Sequence, residues 1–291
     1  MSNSKTDQLI TDANKAFYAL TAAEYDKLGR GMVVEVAKTN ATNILARVPG
    51  INTSKTELMD FAAGTGLLAM FLAPRCKTVT AVDQSEAMIQ QLRNKLDAQS
   101  DGENKIDNIV PVVTDILDRS SPSGSLTGKL FDVITCTNSY HHLSDPKSVT
   151  QVLASYLKPG GYLAVVDLIK TDKSAEFHNA PKTIEQQDGS HKQIDEFGAQ
   201  PSNVHEGENQ SHGSESHHGQ HHHHHHHHDS SGHKTHKHEH VIAHRGGFSD
   251  AEMEDFFSAA DLKLVNMGKS AQFVKDGKAY DNFLAIAQKP L

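Results

Sequence analysis

Hydrophobic and polar positions change their period several times along this chain of 291 residues. Between residues 5 and 48, apolar residues such as Leu9, Ala13 and Phe17 recur at helical spacing and predict helices. Short apolar runs then alternate with further helical patterns. The runs predict strands at 56–61, 79–83, 109–114, 131–136 and 162–168, and the patterns between them predict helices near 67–74, 85–98 and 146–157. This alternation is typical of an α/β fold that is doubly wound around a mostly parallel sheet.

The pattern stops near residue 170. Residues 171–244 are rich in His, Ser, Gly, Gln, Asn and charge, and they contain few apolar residues. Because such a segment cannot bury enough surface to offset chain entropy, we expect a largely disordered insertion, with a short helix near 173–186. Ser249 and Glu252 then predict a helix start through a capping box, and two final strands follow at 263–267 and 283–287.

Four segments are therefore predicted. They are an N-terminal helical cap (1–50), an α/β core (51–170), the low-complexity insertion (171–244) and a C-terminal helix with strands (245–291) that completes the same domain as the core. The sheet would then have seven strands, with helices on both faces and one antiparallel strand.

Composition removes several classes of protein. No run of 18 apolar residues exists, so no transmembrane span is predicted, and the polar N-terminus lacks a signal-peptide core. A formal net charge of −8 without any run of Lys and Arg argues against a dedicated nucleic-acid binder. Two cysteines, Cys76 and Cys136, are expected to be buried and reduced, which favours a cytoplasmic or nuclear setting.

The strongest chemical signal is a turn between two predicted strands. The first strand carries Asp60 near its end, the turn reads Ala62-Ala-Gly64-Thr-Gly66, and the next strand ends in Asp83. Glycines let the backbone approach a ligand, and an acid after the second strand can accept hydrogen bonds from both ribose hydroxyls. These residues predict a nucleoside-binding βαβ unit. A carboxylate at Asp60 would repel a pyrophosphate but suits an ammonium group.

This turn resembles motif I of the class I S-adenosylmethionine-dependent methyltransferases, in which an acid precedes x-G-x-G-x-G and Ala62 here replaces the first glycine. Segments 83–88, 112–116, 131–143 and 157–167 match later motifs of that family in order. The resemblance implies S-adenosylmethionine as cofactor. The remaining alternative is a doubly wound domain that binds another nucleotide.

The resemblance also implies a set of cofactor contacts. These are Asp60, Ala62, Gly64, Gly66, Asp83, Gln84, Met88, Asp115, Ile116, Asn138 and Tyr25. Asp83 would hold the ribose, Met88 would lie against the adenine, and Asp115 would accept a hydrogen bond from the adenine amino group. An N-cap role is the alternative for Asp115. Tyr18 or Tyr25 could face the sulfonium cation, with core packing as the alternative.

Residues 138–142 should border the transferred methyl group. His141 or His142 could act as a general base toward an acidic hydroxyl, with Tyr140 as a further catalytic candidate, and loop packing is the alternative for each histidine. The segment lacks the Pro-Pro-Tyr of methyltransferases that act on adenine, cytosine or glutamine nitrogens. Its Tyr-His-His-Leu, followed by Asp145-Pro, is similar to the ubiquinone-biosynthesis-like group, which implies a small-molecule acceptor. A protein methyltransferase, or a metal-binding stress protein with little turnover, are the alternatives.

Histidines cluster in the insertion. Residues 205–244 hold 17 of the 21 histidines, eight of them consecutive at 221–228. Such a tract can bind zinc or nickel adventitiously, but it lacks the fixed ligand spacing of a structural metal site, so no metal site is predicted. The tract is either a neutral expansion or a lid that responds to metal or pH.

Overall fold

A computed structural model describes residues 4–102, 104–117, 126–178, 182–185, 191–194, 242–275 and 277–291. The strands are β1 Glu57–Phe61, β2 Thr78–Asp83, β3 Ile109–Val113, β4 Phe131–Thr137, β5 Leu157–Leu168, β6 Lys182–Glu185, β7 His191–Ile194, β8 Lys263–Lys275 and β9 Lys278–Gln288. The α-helices are α1 Ser4–Thr21, α2 Met32–Arg47, α3 Leu67–Leu72, α4 Glu86–Asp97, α5 Pro146–Ser155 and α6 Asp250–Ala259. Tighter 3-10 segments occupy Ala22–Gly31, Ala73–Arg75, Tyr140–His142 and Ser174–His178.

Seven strands form one sheet in the order β3-β2-β1-β4-β5-β9-β8. The five strands from β3 to β5 pair in parallel, whereas β9 runs antiparallel to both of its neighbours. The predicted α/β fold with a seven-stranded sheet is therefore confirmed, and the sheet is mixed. Because strand order reverses between β1 and β4, a crevice opens at the carboxyl ends of these strands.

Helices cover both faces of the sheet. Alternate residues of a strand point to opposite faces. On one face, Ile134 of β4 packs with Leu153 of α5 and Phe257 of α6. On the other face, α2, α3 and α4 pack against the sheet through Ile44, Leu72 and Leu92, all fully buried.

Local capping begins the helices where the sequence allows it. Ser249 and Glu252 form the predicted capping box at the start of α6. Ser85 accepts a hydrogen bond from the Met88 amide at α4, and Asp145 accepts one from the Ser148 amide at α5. These caps fix the start of α4 and α5 directly beside the strand ends.

The segment after β5 differs from its prediction. The expected helix near 173–186 is a 3-10 turn at Ser174–His178, and the following residues form β6, which pairs antiparallel with β7. A helix of that length is marginal alone, and pairing with β7 supplies hydrogen bonds between strands instead. Residues 195–241, which include most of the histidine tract, lie outside the described residues. The predicted disorder of this segment therefore stays a prediction. No helix in the described ranges is long and apolar enough to cross a membrane.

Candidate cofactor and acceptor site

A cavity of about 1290 Å³ opens at the carboxyl ends of the parallel strands. Its floor comes from the loops after β1, β2, β3 and β4, and its cover comes from α1, the 22–31 segment and the start of α2. Pockets for single small ligands typically measure about 300–1,000 Å³. This cavity therefore has room for two molecules side by side.

The turn after β1 has a left-handed backbone at Ala62, Gly64 and Gly66, with φ values of 55°, 56° and 76°. A Cβ added to Gly64 would meet no atom within 4 Å, so Gly64 faces the open cavity. A Cβ on Gly66 would instead lie 2.5 Å from Leu92 Cδ1. Gly66 does not line the cavity. Its predicted cofactor contact is corrected to a packing role against α4.

Asp83 is fixed at the end of β2. Its Oδ2 accepts a hydrogen bond from the Gly64 amide at 2.8 Å, and its Oδ1 accepts one from the Ser85 amide at 2.8 Å. Burial raises the pKa of this carboxyl group. Asp83 lines the cavity together with Gln84 and Met88, and their contact with a cofactor stays a prediction. Each carboxylate oxygen retains lone-pair capacity for a further donor.

Asp60 lies beneath the turn rather than in the cavity. It is 1% exposed, and its Oδ1 accepts a hydrogen bond from Thr135 Oγ1 at 2.7 Å. Its Oδ2 has no hydrogen-bond partner among the described residues. Burial raises the pKa of Asp60 to about 7. The predicted direct contact with the methionine part of a cofactor is corrected, because this side chain points into the sheet toward β4.

Asp115 and Ile116 both line the cavity after β3. Asp115 Oδ1 accepts a hydrogen bond from the Leu117 amide at 2.9 Å, and Lys15 Nζ lies 3.9 Å from Asp115 Oδ2. Residues 116–117 form a turn, so the carboxylate caps a turn rather than a helix at this point. Lys15 brings α1 over this end of the cavity.

The loop after β4 presents two histidines to the cavity. His141 Nδ1 lies 2.8 Å from Asp167 Oδ1, and His142 Nε2 lies 2.8 Å from the hydroxyl of Tyr18. Asn138, at φ 53°, also lines the cavity, and its side-chain Oδ1 accepts a hydrogen bond from Asn282 Nδ2. This end of the cavity therefore combines imidazole, carboxylate and amide groups.

Tyr140 is not part of the cavity wall. It is fully buried, and its hydroxyl lies 3.0 Å from Thr150 Oγ1 of α5. Burial raises the pKa of Tyr140 far above its ordinary value. In the 3-10 turn at Tyr140–His142, the first side chain points into the core and the next two line the cavity. The prediction that Tyr140 is a catalytic candidate is therefore corrected.

Tyr25 lines the cavity from the 22–31 segment, and its ring centroid lies 6.2 Å from that of Tyr18. Burial raises the pKa of Tyr25 to about 12, so its hydroxyl stays protonated at neutral pH. Asp26, next along the chain, accepts hydrogen bonds from Thr65 Oγ1 and, at 2.8 Å, from Lys95 Nζ. These contacts fasten the cover to the turn after β1.

Sequence reasoning missed several residues of this site. They are Asp26, Asp167, Phe177, His178, Phe273 and Asn282. Asp167 carried a usable signal, since it is an acid near the end of a buried strand, as are Asp60 and Asp83. Within the described part of the chain, no group of three or more His, Cys, Asp or Glu side chains is arranged to hold a metal ion.

The fold and the site define a class of protein, an α/β domain with a ligand-sized cavity at the carboxyl edge of its parallel strands. Residues 59–163 match the family described as "Methyltransferase domain". An uncharacterized methyltransferase of Schizosaccharomyces pombe is 35% identical over 117 residues, which cover 40% of this chain and 40% of that protein. A ubiquinone biosynthesis O-methyltransferase of Idiomarina loihiensis is 32% identical over 118 residues, covering 40% and 44%. The chain thus spans about two fifths of the length of these relatives.

Solved structures share the fold. DhpI in complex with S-adenosylhomocysteine (SAH) superimposes with a TM-score of 0.52 at 18% identity, covering 97% of both chains. Magnesium protoporphyrin IX methyltransferase from Synechocystis PCC 6803 with bound S-adenosylmethionine has a TM-score of 0.52 at 11% identity, again covering 97% of both chains. The resemblance to methyltransferases that the motifs predict is thus confirmed for residues 59–163, about a third of the chain, and the solved structures show that the fold is shared.

Proposed function

We propose that the protein transfers the methyl group of S-adenosylmethionine to a small-molecule acceptor held in the same cavity. One observation carries this proposal. The turn residue Gly64 and the strand-end carboxylate Asp83 line the same cavity of about 1290 Å³ as His141 and His142. A cofactor at one end would therefore meet an acceptor at the other end without leaving the protein.

The residues at the first end fit the cofactor. Gly64 leaves open space where a side chain would otherwise stand, which suits close approach of the methionine part. Asp83 would accept hydrogen bonds from the ribose hydroxyls, because its two oxygens are already oriented by backbone amides. Gln84, Met88 and Asp115 also line the cavity and would surround the adenine.

The bound cofactor supplies a methyl group on a positively charged sulfur, which is the chemistry that the protein itself lacks. The contribution of the chain is to position the acceptor and exclude water. Ala62 and Asn138 line the cavity between its two ends and would contact the methionine part. Tyr25 contributes a half-buried, protonated phenol to the cover, and its ring would face the sulfur cation.

The second end favours a small acceptor over a protein segment. Apolar side chains of Val36, Phe177 and Phe273 line it, and α1 with the 22–31 segment covers it. A protein substrate would need an open groove instead. The similar proteins include a ubiquinone biosynthesis O-methyltransferase and a magnesium protoporphyrin IX methyltransferase, whose names denote small-molecule chemistry, and this supports the proposal by analogy.

Isothermal titration of S-adenosylhomocysteine against wild type and Asp83→Ala tests the cofactor half. We expect micromolar binding by wild type and about a 10- to 100-fold loss in the variant, since hydrogen bonds to a charged group contribute about 1.5–3 kcal/mol. Asp101→Ala is the control, because Asp101 is exposed and only pairs with Lys105. A wild type that does not bind would overturn the proposal. With binding established, a small-molecule library and a set of denatured proteins, each incubated with methyl-labelled cofactor, would separate the two acceptor classes.

A further inference from the structure

Asp167 is a buried carboxylate at the acceptor end of the cavity. It is fully buried near the end of β5, yet it is one of the residues that line the cavity. Its Oδ1 accepts a hydrogen bond from the Leu168 amide at 2.7 Å and lies 2.8 Å from His141 Nδ1. Its Oδ2 accepts a hydrogen bond from the His141 amide at 3.1 Å. A carboxylate anchored by two backbone amides holds one fixed orientation toward the imidazole.

This arrangement determines which nitrogen of His141 can act. Nδ1 carries its proton toward the carboxylate, so Nε2 is the nitrogen with a lone pair for a substrate. The imidazole lines the cavity, and its side chain is 9% exposed. A carboxylate on Nδ1 also stabilises the imidazolium that forms when Nε2 takes a proton. The pair therefore has the geometry of an oriented general base.

Among the residues that the structure describes, mainly histidines surround the ring of His141. His142 and His178 lie beside its ring, with centroid distances of 4.2 Å and 4.9 Å. His244, from the segment before α6, donates its backbone N–H to the His141 carbonyl at 2.9 Å, and burial lowers the pKa of the His244 imidazole. Tyr18 contacts this cluster at His142, through its hydroxyl group. Asp167 is the one carboxylate hydrogen-bonded to His141 in the part of the chain that the structure describes.

We propose that Asp167 is a positioning residue that orients His141 as the general base toward an acceptor whose nucleophile is a protonated hydroxyl. This inference rests on the proposed function. As the acceptor O–H bond breaks, its proton moves to His141 Nε2 and the oxygen forms a bond to the methyl carbon. The bond between that carbon and sulfur breaks, with its electron pair remaining on sulfur. Charge balances, because one positive charge leaves the sulfonium and one appears on the imidazolium.

The cavity walls limit the rest of the acceptor. Phe177 packs against Phe273 at 5.4 Å and against His178 at 4.9 Å between ring centroids, so this end of the cavity presents flat apolar surfaces. Lys275 Nζ, which also lines the cavity, is held by the Phe177 carbonyl at 2.6 Å. An aromatic ring that carries the hydroxyl fits such walls, because its faces can pack against the phenyl rings.

A series of para-substituted phenols tests the inference, because acidity changes along the series while shape changes little. The probes run from phenol, which is un-ionised at the assay pH, to 4-nitrophenol, which is largely ionised. Methyl transfer from labelled cofactor is measured with wild type, Asp167→Asn and His141→Gln. The second variant keeps the carboxylate, so it remains informative if Asp167→Asn fails to fold. Asp255→Asn is the control, since it removes an exposed carboxylate that only pairs with Lys147.

General bases typically contribute about 10²- to 10⁴-fold, so both variants should lose that much kcat on phenol and less than about tenfold on the pre-ionised probe. Affinity for S-adenosylhomocysteine should not change. The wild type should also show a protected imidazole N–H proton resonance that is absent from both variants, which tests the hydrogen bond independently of turnover. A defect of equal size along the series would overturn the base role. A cofactor-binding wild type that methylates no phenol would overturn the acceptor class, whereas absent cofactor binding would instead overturn the proposed function.

Discussion

Replacing Gly66 with alanine tests whether the turn after β1 is held by packing or by its contact with the ligand. Gly66 has φ +76°, and an added Cβ would lie 2.5 Å from Cδ1, 2.9 Å from Cδ2 and 3.0 Å from Cγ of Leu92. Leu92 is fully buried in the core cluster against the sheet, so moving its side chain away from an added Cβ would disturb its packed neighbours. The substitution therefore strains both the backbone and the contact between the turn and α4.

The cost can be worked out from these two contributions. A left-handed backbone at a residue with a Cβ costs about 1–2 kcal/mol, and overpacking a core costs about 1–3 kcal/mol. Gly66→Ala should therefore lower the free energy of unfolding by about 2–5 kcal/mol. Gly64→Ala is the matched control, because Gly64 has φ +56° but no atom within 4 Å of an added Cβ. It should lose only the backbone contribution, about 1–2 kcal/mol.

Urea denaturation gives the free energies of unfolding, and calorimetry with S-adenosylhomocysteine gives the affinities of the folded variants. The two effects should separate, because Gly64 lines the cavity and Gly66 does not. Gly64→Ala should weaken binding more, and Gly66→Ala should weaken stability more. Adding Leu92→Ala to Gly66→Ala should cost less than the sum of the single changes, since the clash is removed. Equal stability losses at the two glycines, or additive costs with Leu92→Ala, would refute the packing argument.

Three further predictions concern the cover and the buried turn. Asp26→Ala should weaken cofactor affinity several-fold and lower the free energy of unfolding by about 1–2 kcal/mol, because it removes the hydrogen bonds of the cover to Thr65 and Lys95. Glu24→Ala is the control, since it removes an exposed ion pair with Lys27 and should change both quantities little. Calorimetry measures the affinity, and urea denaturation measures the stability. Burial raises the pKa of Asp60 in the folded protein to about 7. As the pH rises, the Asp60 carboxyl group therefore loses its proton in the unfolded chain before it does so in the folded protein. The free energy of unfolding should fall between about pH 4 and 7 by up to about 4 kcal/mol. Asp60→Asn should reduce the difference between the free energies of unfolding that urea denaturation gives at pH 5 and at pH 8. An equal difference in the variant and the wild type would contradict this prediction. Ala62→Gly should stabilise by about 0–1 kcal/mol, because relief at φ +55° slightly exceeds the added entropy of the unfolded chain; a clear loss of stability on denaturation would contradict this.

Local sequence patterns predicted the frame of the site because that frame is built from local units. A parallel strand, a short turn and a helix are adjacent in sequence, so the turn at 62–66 and Asp83 could be assigned to one βαβ unit. Ala62 departs from the family's glycine, yet the turn keeps its left-handed backbone at φ 55°. Met88 and Asp115 follow the next strand ends by the same logic and line the same cavity.

The acceptor end could not be predicted in the same way, because its contacts join distant parts of the chain. Asn282 reaches Asn138 only through the antiparallel register of β9 on β5, where Asn282 pairs with Leu168. The position of Tyr18 beside His142 depends on how α1 crosses the loop after β4, and no local pattern encodes that crossing. Hydrophobic periodicity also does not predict the direction of side chains within a 3-10 turn, so it could not show that Tyr140 points into the core and not into the cavity.

The cover connects the two ends of the cavity. At the acceptor end, Tyr18 of α1 is hydrogen-bonded to His142, and a few residues later Asp26 is hydrogen-bonded to Thr65 of the cofactor turn. Within this cover, just before α2, the backbone takes positive φ at Gly29, Arg30 and Gly31. At Arg30, which has a Cβ, this conformation costs free energy and persists only while neighbouring contacts hold it. A cofactor that orders the cover at the Asp26 end would therefore lower the entropic cost of closing it at the Tyr18 end. On this reasoning, the two binding events are coupled through one continuous segment, and weakening either hydrogen bond affects both ends.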